Sequence, residues 1–230
     1  TFKNKQESLF NAKIQNLTYR NDQESQTIRN LHFCDNNTQE QRLTMINSDF
    51  IDFSIIGQYD YKSILSSLYR LTTTHAPSLS FDFDTTSSSN CNYIFKGDIK
   101  NSHFVSHLLK LPVTINKQSF INGACNDDKG ILSVNTTLND IEINKTKFNT
   151  IGISGESTPE ALTINSSITK PGKPKKSDNE ELCIDINCKV FNDTIQNSFR
   201  WGNNKTKRRI DGKFGMEIML DRDTDDMLFM

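Results

Sequence analysis

The chain repeats a six-residue phrase: an isoleucine, an asparagine one or two places later, and an aromatic five places after the isoleucine. Copies start at Ile14 (to Tyr19), Ile28 (to Phe33), Ile99 (to Phe104), Ile115 (to Phe120), Ile143 (to Phe148) and Ile186 (to Phe191), with a shifted variant over Met45–Phe50. Residues five apart on one unbroken strand point to opposite faces. Both hydrophobes can reach one core only if a bend between them changes the phase. Asparagine suits that bend, because it tolerates the left-handed region and bonds its own backbone. The phrase therefore predicts a short strand, an Asn bend and a second short strand, and stacked copies predict a solenoid.

These phrases resemble the Ile-x-Asn-x-x-Phe-x-Asn repeats of right-handed parallel β-helix (pectin-lyase-like) proteins, above all those of large surface adhesins. The likeness runs in patches over residues 10–193. It implies an all-β parallel β-helix with one helical insertion. Starts at 14, 28 and 45, and at 99 and 115, are closer than a three-faced coil needs, and the Gly-rich turns of such repeats are missing. An antiparallel β-sandwich is the alternative. A leucine-rich pattern fits Ile28, Leu31, Phe33 and Asn36 but fails later, where Ser102 and Gln118 stand at the second leucine position.

Residues 1–167 read as the repeat domain, interrupted by an insertion over about 54–92. Within it, Tyr61, Ile64, Leu65, Leu68 and Tyr69 have helical spacing, predicting a helix over 61–70. The polar stretch between Arg70 and Asn92 reads as a loop. Residues 168–180, centred on Lys170-Pro171-Gly172-Lys173-Pro174, read as a linker, and 181–230 as terminal coils or a cap. The chain opens on Thr1 with no basic-then-apolar leader, so any signal or anchor is expected outside it. No apolar run is long enough to span a bilayer.

Abundant Asn, Ser and Thr favour turns and strands over helices. A net charge of −1 gives no bulk attraction to nucleic acid or to an acidic membrane. Cys34, Cys91, Cys125, Cys183 and Cys188 are an odd, widely spaced set that fits neither a disulfide framework nor a zinc site. They read as small buried hydrophobes.

Candidate sites are sparse. Asp82 and Asp84 would share a strand face, and Asp127-Asp128-Lys129-Gly130 has the form of a turn; these four carboxylates are the pool for Ca²⁺ or acid–base work. His103 and His107 have the spacing of helical zinc ligands, but His103 lies inside a repeat phrase, which argues against a helix there. Lys205, Lys207, Arg208 and Arg209, preceded by Phe199 and Trp201, form a possible anion-binding cluster. Seven Asn-x-Ser/Thr sequons, at Asn16, Asn36, Asn135, Asn144, Asn165, Asn192 and Asn204, are candidate glycan acceptors.

No constellation defines an active site, and no cofactor is implied. The reading is a structural or adhesive repeat module of a larger surface-exposed or filamentous assembly, extracellular, whose partners are other protein chains, including copies of itself. Two alternatives stand beside it. One is a carbohydrate-active β-helix enzyme drawing on the carboxylate pool. The other is an intracellular assembly subunit touching nucleic acid through Lys205–Arg209, nucleic acid being the least favoured partner.

Overall fold

The computed structural model describes residues 7–20, 25–78, 91–171, 181–203, 211–220 and 227–229. Their order is β1 (Ser8–Arg20), β2 (Ser25–Asn37), β3 (Arg42–Ser48), β4 (Ile51–Gln58), α1 (Tyr61–His75), β5 (Asn92–Ile99), α2 (His103–Leu108), β6 (Val113–Asn126), a 3₁₀ turn (Asp127–Lys129), β7 (Ile131–Ile143), β8 (Thr146–Ser157), β9 (Leu162–Pro171), β10 (Glu181–Phe191), β11 (Thr194–Asn203), β12 (Asp211–Leu220) and β13 (Met227–Phe229). The thirteen strands form one open sheet in which each strand pairs with its sequence neighbours.

Every pairing is antiparallel, which corrects the parallel β-helix and solenoid expected above. The connections show why. Asn144 (φ 47°) with Lys145 (φ 66°), and Asn192 (φ 48°) with Asp193 (φ 57°), are pairs of left-handed residues between Ile143 and Thr146 and between Phe191 and Thr194. Two consecutive positive-φ residues make the tight hairpin turn whose twist matches its flanking strands. A parallel crossover needs a dozen residues or more. The antiparallel alternative fits the pairing better, although the strands belong to a single sheet.

The recurrent phrase thus has several structural meanings. In the copy starting at Ile143, the asparagine reverses the chain, and Ile143 and Phe148 pack in one cluster. In the copy starting at Ile115, a bulge between Lys117 and Phe120 leaves Ile115 buried and Phe120 exposed. Asp140 (φ 49°) supplies a phase change of the expected kind within β7, so that Leu138 and Ile141, three residues apart, join the same cluster.

The expected helix over 61–70 is α1, extended to His75. Ser54–Gln58, placed by the sequence reading inside the insertion, belong to β4, and β9 pairs with β10 on either side of residues 172–180, so the sheet continues across the expected linker. Against expectation, His103 and His107 lie on a helix, α2.

Register places the apolar residues of successive strands on one face. From β7 to β12 they form four rows: Leu132–Ser157–Leu162–Val190–Ile195–Ile218, Val134–Gly155–Ile164–Cys188–Asn197–Met216, Thr136–Ile153–Ser166–Ile186–Phe199–Phe214 and Leu138–Ile151–Ile168–Ile184–Trp201–Gly212. None of these residues is charged. Two clusters mark where the face is dry. The first gathers Ile55, Tyr59, Leu71, Cys91, Tyr93 and Cys125 beneath α1. The second gathers Ile115, Ile141 and Ile151 toward the other strand ends.

Candidate functional site

The feature that separates this chain from an ordinary β domain is its partly uncovered apolar face. A one-layered sheet leaves its apolar side wet unless something packs on it, and soluble monomers rarely expose large contiguous apolar patches. Here α1 covers the first cluster and, through His75, reaches Ser157 in the row nearest to it. Farther along, Ile153, Ile164, Trp201 and Phe214 are 37%, 38%, 42% and 53% exposed. On β1, Phe10 and Ile14 are likewise exposed. Among the described residues, no helix packs over the two middle rows from β8 to β12, those through Ile164 and Ile153.

Helix α1 lies across the strand ends and is fastened at several points. Its serines Ser63 and Ser67 are fully buried. The side chain of Asp127, almost completely buried, accepts from Ser67 Oγ and Cys125 Sγ on one oxygen, and on the other from Arg70 Nη2 at 2.5 Å and the Cys91 N–H at 2.8 Å. Cys91 Sγ donates to Ser63 Oγ at 3.0 Å. Burial pushes the Cys91 thiol up to about 11 and raises that of Cys125 as well, so both stay protonated and unreactive. At the far end of α1, His75 Nε2 lies 3.1 Å from Ser157 Oγ.

A second polar set sits where β2, β3 and α1 meet. Arg42 donates to both oxygens of Asp35, at 2.8 and 2.5 Å, and Thr44 Oγ1 adds a third bond at 2.9 Å. The Arg42 hydrogen bonds hold the Asp35 carboxyl below the usual range. The Arg42 guanidinium lies 4.1 Å from the Tyr61 ring centre. Tyr59 donates to Thr44 Oγ1 at 2.7 Å, and burial pushes its phenol up to about 12. The charges on this part of the face therefore neutralise each other.

The opposite face of β7–β11 is polar. A shallow depression of about 660 Å³ there is walled by Asn135, Ser154, Asn165, Asp185, Asn187 and Arg200 among others. Asn187 Nδ2 donates to Asn165 Oδ1 at 2.5 Å.

The structure scatters the residues singled out from sequence. Asp82 and Asp84, the cluster Lys205, Lys207, Arg208 and Arg209, and Asn204 lie outside the described residues. Asp127 is buried in the α1 clasp, whereas Asp128 is exposed on the turn beside it. His103 and His107 are exposed on α2, and no group of three potential metal ligands occurs among the described residues. Asn16, Asn36, Asn135, Asn144, Asn165 and Asn192 are all exposed. Phe199 and Trp201, read as neighbours of a basic cluster, belong to the apolar rows.

Sequence reasoning missed the apolar face itself. Its signal was the period-two alternation of Leu162-Thr163-Ile164-Asn165 and Leu182-Cys183-Ile184-Asp185-Ile186-Asn187, diluted by serine and threonine on the inner side.

No protein family, characterised protein or solved structure matches the chain. No described helix is long and apolar enough to cross a membrane.

Proposed function

We propose that this chain is a non-catalytic binding module whose apolar sheet face holds the acyl chains of lipid-like molecules. The observation that carries the reading is the uncharged set of four rows across β7–β12, in which Ile153, Ile164, Trp201 and Phe214 stand partly in water. Six strands at about 4.8 Å spacing make each row about 24 Å long. An acyl chain in one leaflet of a bilayer spans about 15 Å, half of a hydrocarbon core of about 30 Å, so a row accommodates it whole. Aliphatic Ile, Val and Leu with interspersed Phe offer dispersion contacts without hydrogen-bond specificity, which suits a saturated chain. The polar opposite face keeps the sheet in water.

A fluorescent long-chain acyl reporter titrated into the protein tests this. Ile186→Asp and Phe199→Asp place charge in the middle of the rows and are expected to weaken binding at least tenfold. Asn187→Ser changes the other face of the same strand and is expected to leave affinity unchanged. Equal affinity in all three variants, or no binding by the unaltered protein, overturns the reading.

A second reading keeps the structural role expected from sequence: the chain as a subunit that associates with copies of itself. It is favoured by β1, thirteen residues long and at the end of the strand order, with Leu9, Phe10, Leu17 and Tyr19 exposed. An unpaired strand edge is a template for another strand. A concentration-dependent rise in mass in solution, abolished by Phe10→Lys, supports it; a monomer at every concentration excludes it. Of the four carboxylates behind the carbohydrate-enzyme alternative, Asp127 is engaged in the α1 clasp, Asp128 is exposed beside it, and Asp82 and Asp84 lie outside the described residues.

A further inference from the structure

The two ends of the sheet differ in what they expose. Acidic residues stand at both: Glu40, Asp60, Asp128, Glu160 and Asp193 on the turns of the α1 end, and Asp49, Asp52 and Asp98 where β3, β4 and β5 meet the α2 end. The segment 100–112, between β5 and β6, contains no acidic residue. That segment includes α2 and the turn after it, where Leu108, Leu109 and Leu111 are 44%, 60% and 48% exposed. Three leucines in four positions, each about half in water, are a protruding apolar tip rather than scattered surface residues.

The backbone fixes this tip. Leu109 N–H donates to the Val105 carbonyl at 2.9 Å and Leu111 N–H to the Ser106 carbonyl at 2.8 Å, closing the turn. Lys110 takes the left-handed conformation (φ 52°) at its centre. The Asn144 N–H donates to the Pro112 carbonyl at 2.9 Å, which brings the Asn144–Lys145 hairpin turn alongside Leu111. Lys110 and Lys145 are both exposed. Lys100, at the start of the segment, is held by Asp52 at 2.8 Å. The tip therefore presents leucines flanked by two exposed ammonium groups. This is the composition of an element that lies in a bilayer interface, its apolar part among the acyl chains and its lysines at anionic headgroups.

We infer that the Leu108–Leu111 tip docks the chain on an anionic phospholipid bilayer. The tip also sits at one end of the apolar rows. Ile99 and Val113, the residues on either side of the segment, pack against the cluster of Ile115, Ile141 and Ile151. A bilayer touched by the tip thus lies next to the apolar face. This last step, that the docked end is where acyl chains reach the face, rests on the function proposed above; the docking does not.

Co-sedimentation with vesicles tests the docking. Two vesicle types are used: phosphatidylcholine alone, and a two-to-one mixture of phosphatidylcholine with phosphatidylglycerol. The unaltered protein is expected to bind the mixed vesicles at least fivefold more tightly than the neutral ones. Leu109→Ser with Leu111→Ser is expected to lose at least tenfold on the mixed vesicles. Lys110→Gln with Lys145→Gln is expected to abolish the preference for them. Both leucines are about half exposed, so far-UV dichroism and the thermal midpoint should not move. If they do, the single Leu109→Ser serves in place of the pair. Absence of sedimentation by the unaltered protein, or unchanged sedimentation by the leucine variant, overturns the inference. The acyl reporter separates the two proposals: the leucine variant in solution should keep reporter affinity, and Ile186→Asp should keep vesicle binding.

Discussion

The backbone N–H of Asp193, at the β10–β11 turn, donates to the carbonyl of His75, the last residue of α1, at 3.0 Å. The Asp193 carboxylate accepts from the N–H of Ser78 at 2.7 Å. A residue more than a hundred positions away thus completes the C-terminus of the helix, satisfying groups that a helix end leaves unpaired. Because Asp193 also sits in the left-handed region, alanine there loses both the acceptor and the tolerated conformation. Asp193→Ala should lower stability by about 2 kcal/mol, whereas Asp193→Asn, which keeps both, should fall close to the unaltered protein. Denaturant midpoints of the two variants decide it.

His75 makes the same clasp sensitive to acid. Burial lowers its pKa below the ordinary 6.5. The neutral imidazole is therefore favoured in the folded chain, and the unfolded chain binds more protons between the two values. The stability this confers is complete above pH 6.5 and drains away as pH falls below it toward the folded value. The thermal midpoint should decline from pH 6.5 to pH 5, and His75→Asn should flatten that decline. An identical slope in the variant would show that other groups cause it.

Asp127 is the most heavily used carboxylate beneath α1. Its removal strands Ser67, the Cys91 N–H and the Arg70 guanidinium together. Asp127→Ala should cost about 3–5 kcal/mol, and it should open the buried pair Cys91 and Cys125 to alkylation. In the unaltered protein Cys34 and Cys183, which are less buried, should react with iodoacetamide first. Mass-mapped labelling over time checks both statements.

How much of this was legible in the sequence varies by element. Helix α1 was, because Tyr61, Ile64, Leu65 and Leu68 recur at helical spacing with no competing strand pattern. The left-handed asparagines were readable in part: of the asparagines within the phrases, Asn16 and Asn144 have positive φ, whereas Asn187 is extended inside β10 and the left-handed Asn192 follows its phrase. What they do was not. Asn-Lys at 144–145 and Asn-Asp at 192–193 are hairpin turns, but the first lies inside the phrase Ile143–Phe148, which reads equally well as the corner of a coil, and the second follows the phrase Ile186–Phe191. Sense of pairing is set by which strand the chain meets after the bend, and no local residue encodes that for a phrase read alone. The α1 clasp was illegible for a related reason. Ser63, Ser67 and Asp127 are ordinary polar residues until the fold brings them together under one helix.

Trp201 offers a direct view of the apolar face. It is the only tryptophan, and its ring covers Gly212 on the next strand, where any β-carbon would overlap it. Gly212→Val should displace the ring, shift its emission to the red and cost about 1–3 kcal/mol. If acyl chains occupy the rows, saturating lipid should shift the emission of the unaltered protein to the blue. Emission that moves in neither experiment would place Trp201 outside the occupied region.

Because each strand pairs only with those before and after it, no strand depends on a distant partner for its backbone hydrogen bonds. Such a sheet is a tally of hairpins, in which stability is a sum of neighbour-to-neighbour increments. Duplicating or deleting one hairpin would widen or narrow it by about 10 Å without re-threading the rest. Its width is thus open to lineage-by-lineage adjustment, and contacts of short sequence separation should let it zip from any well-formed hairpin outward.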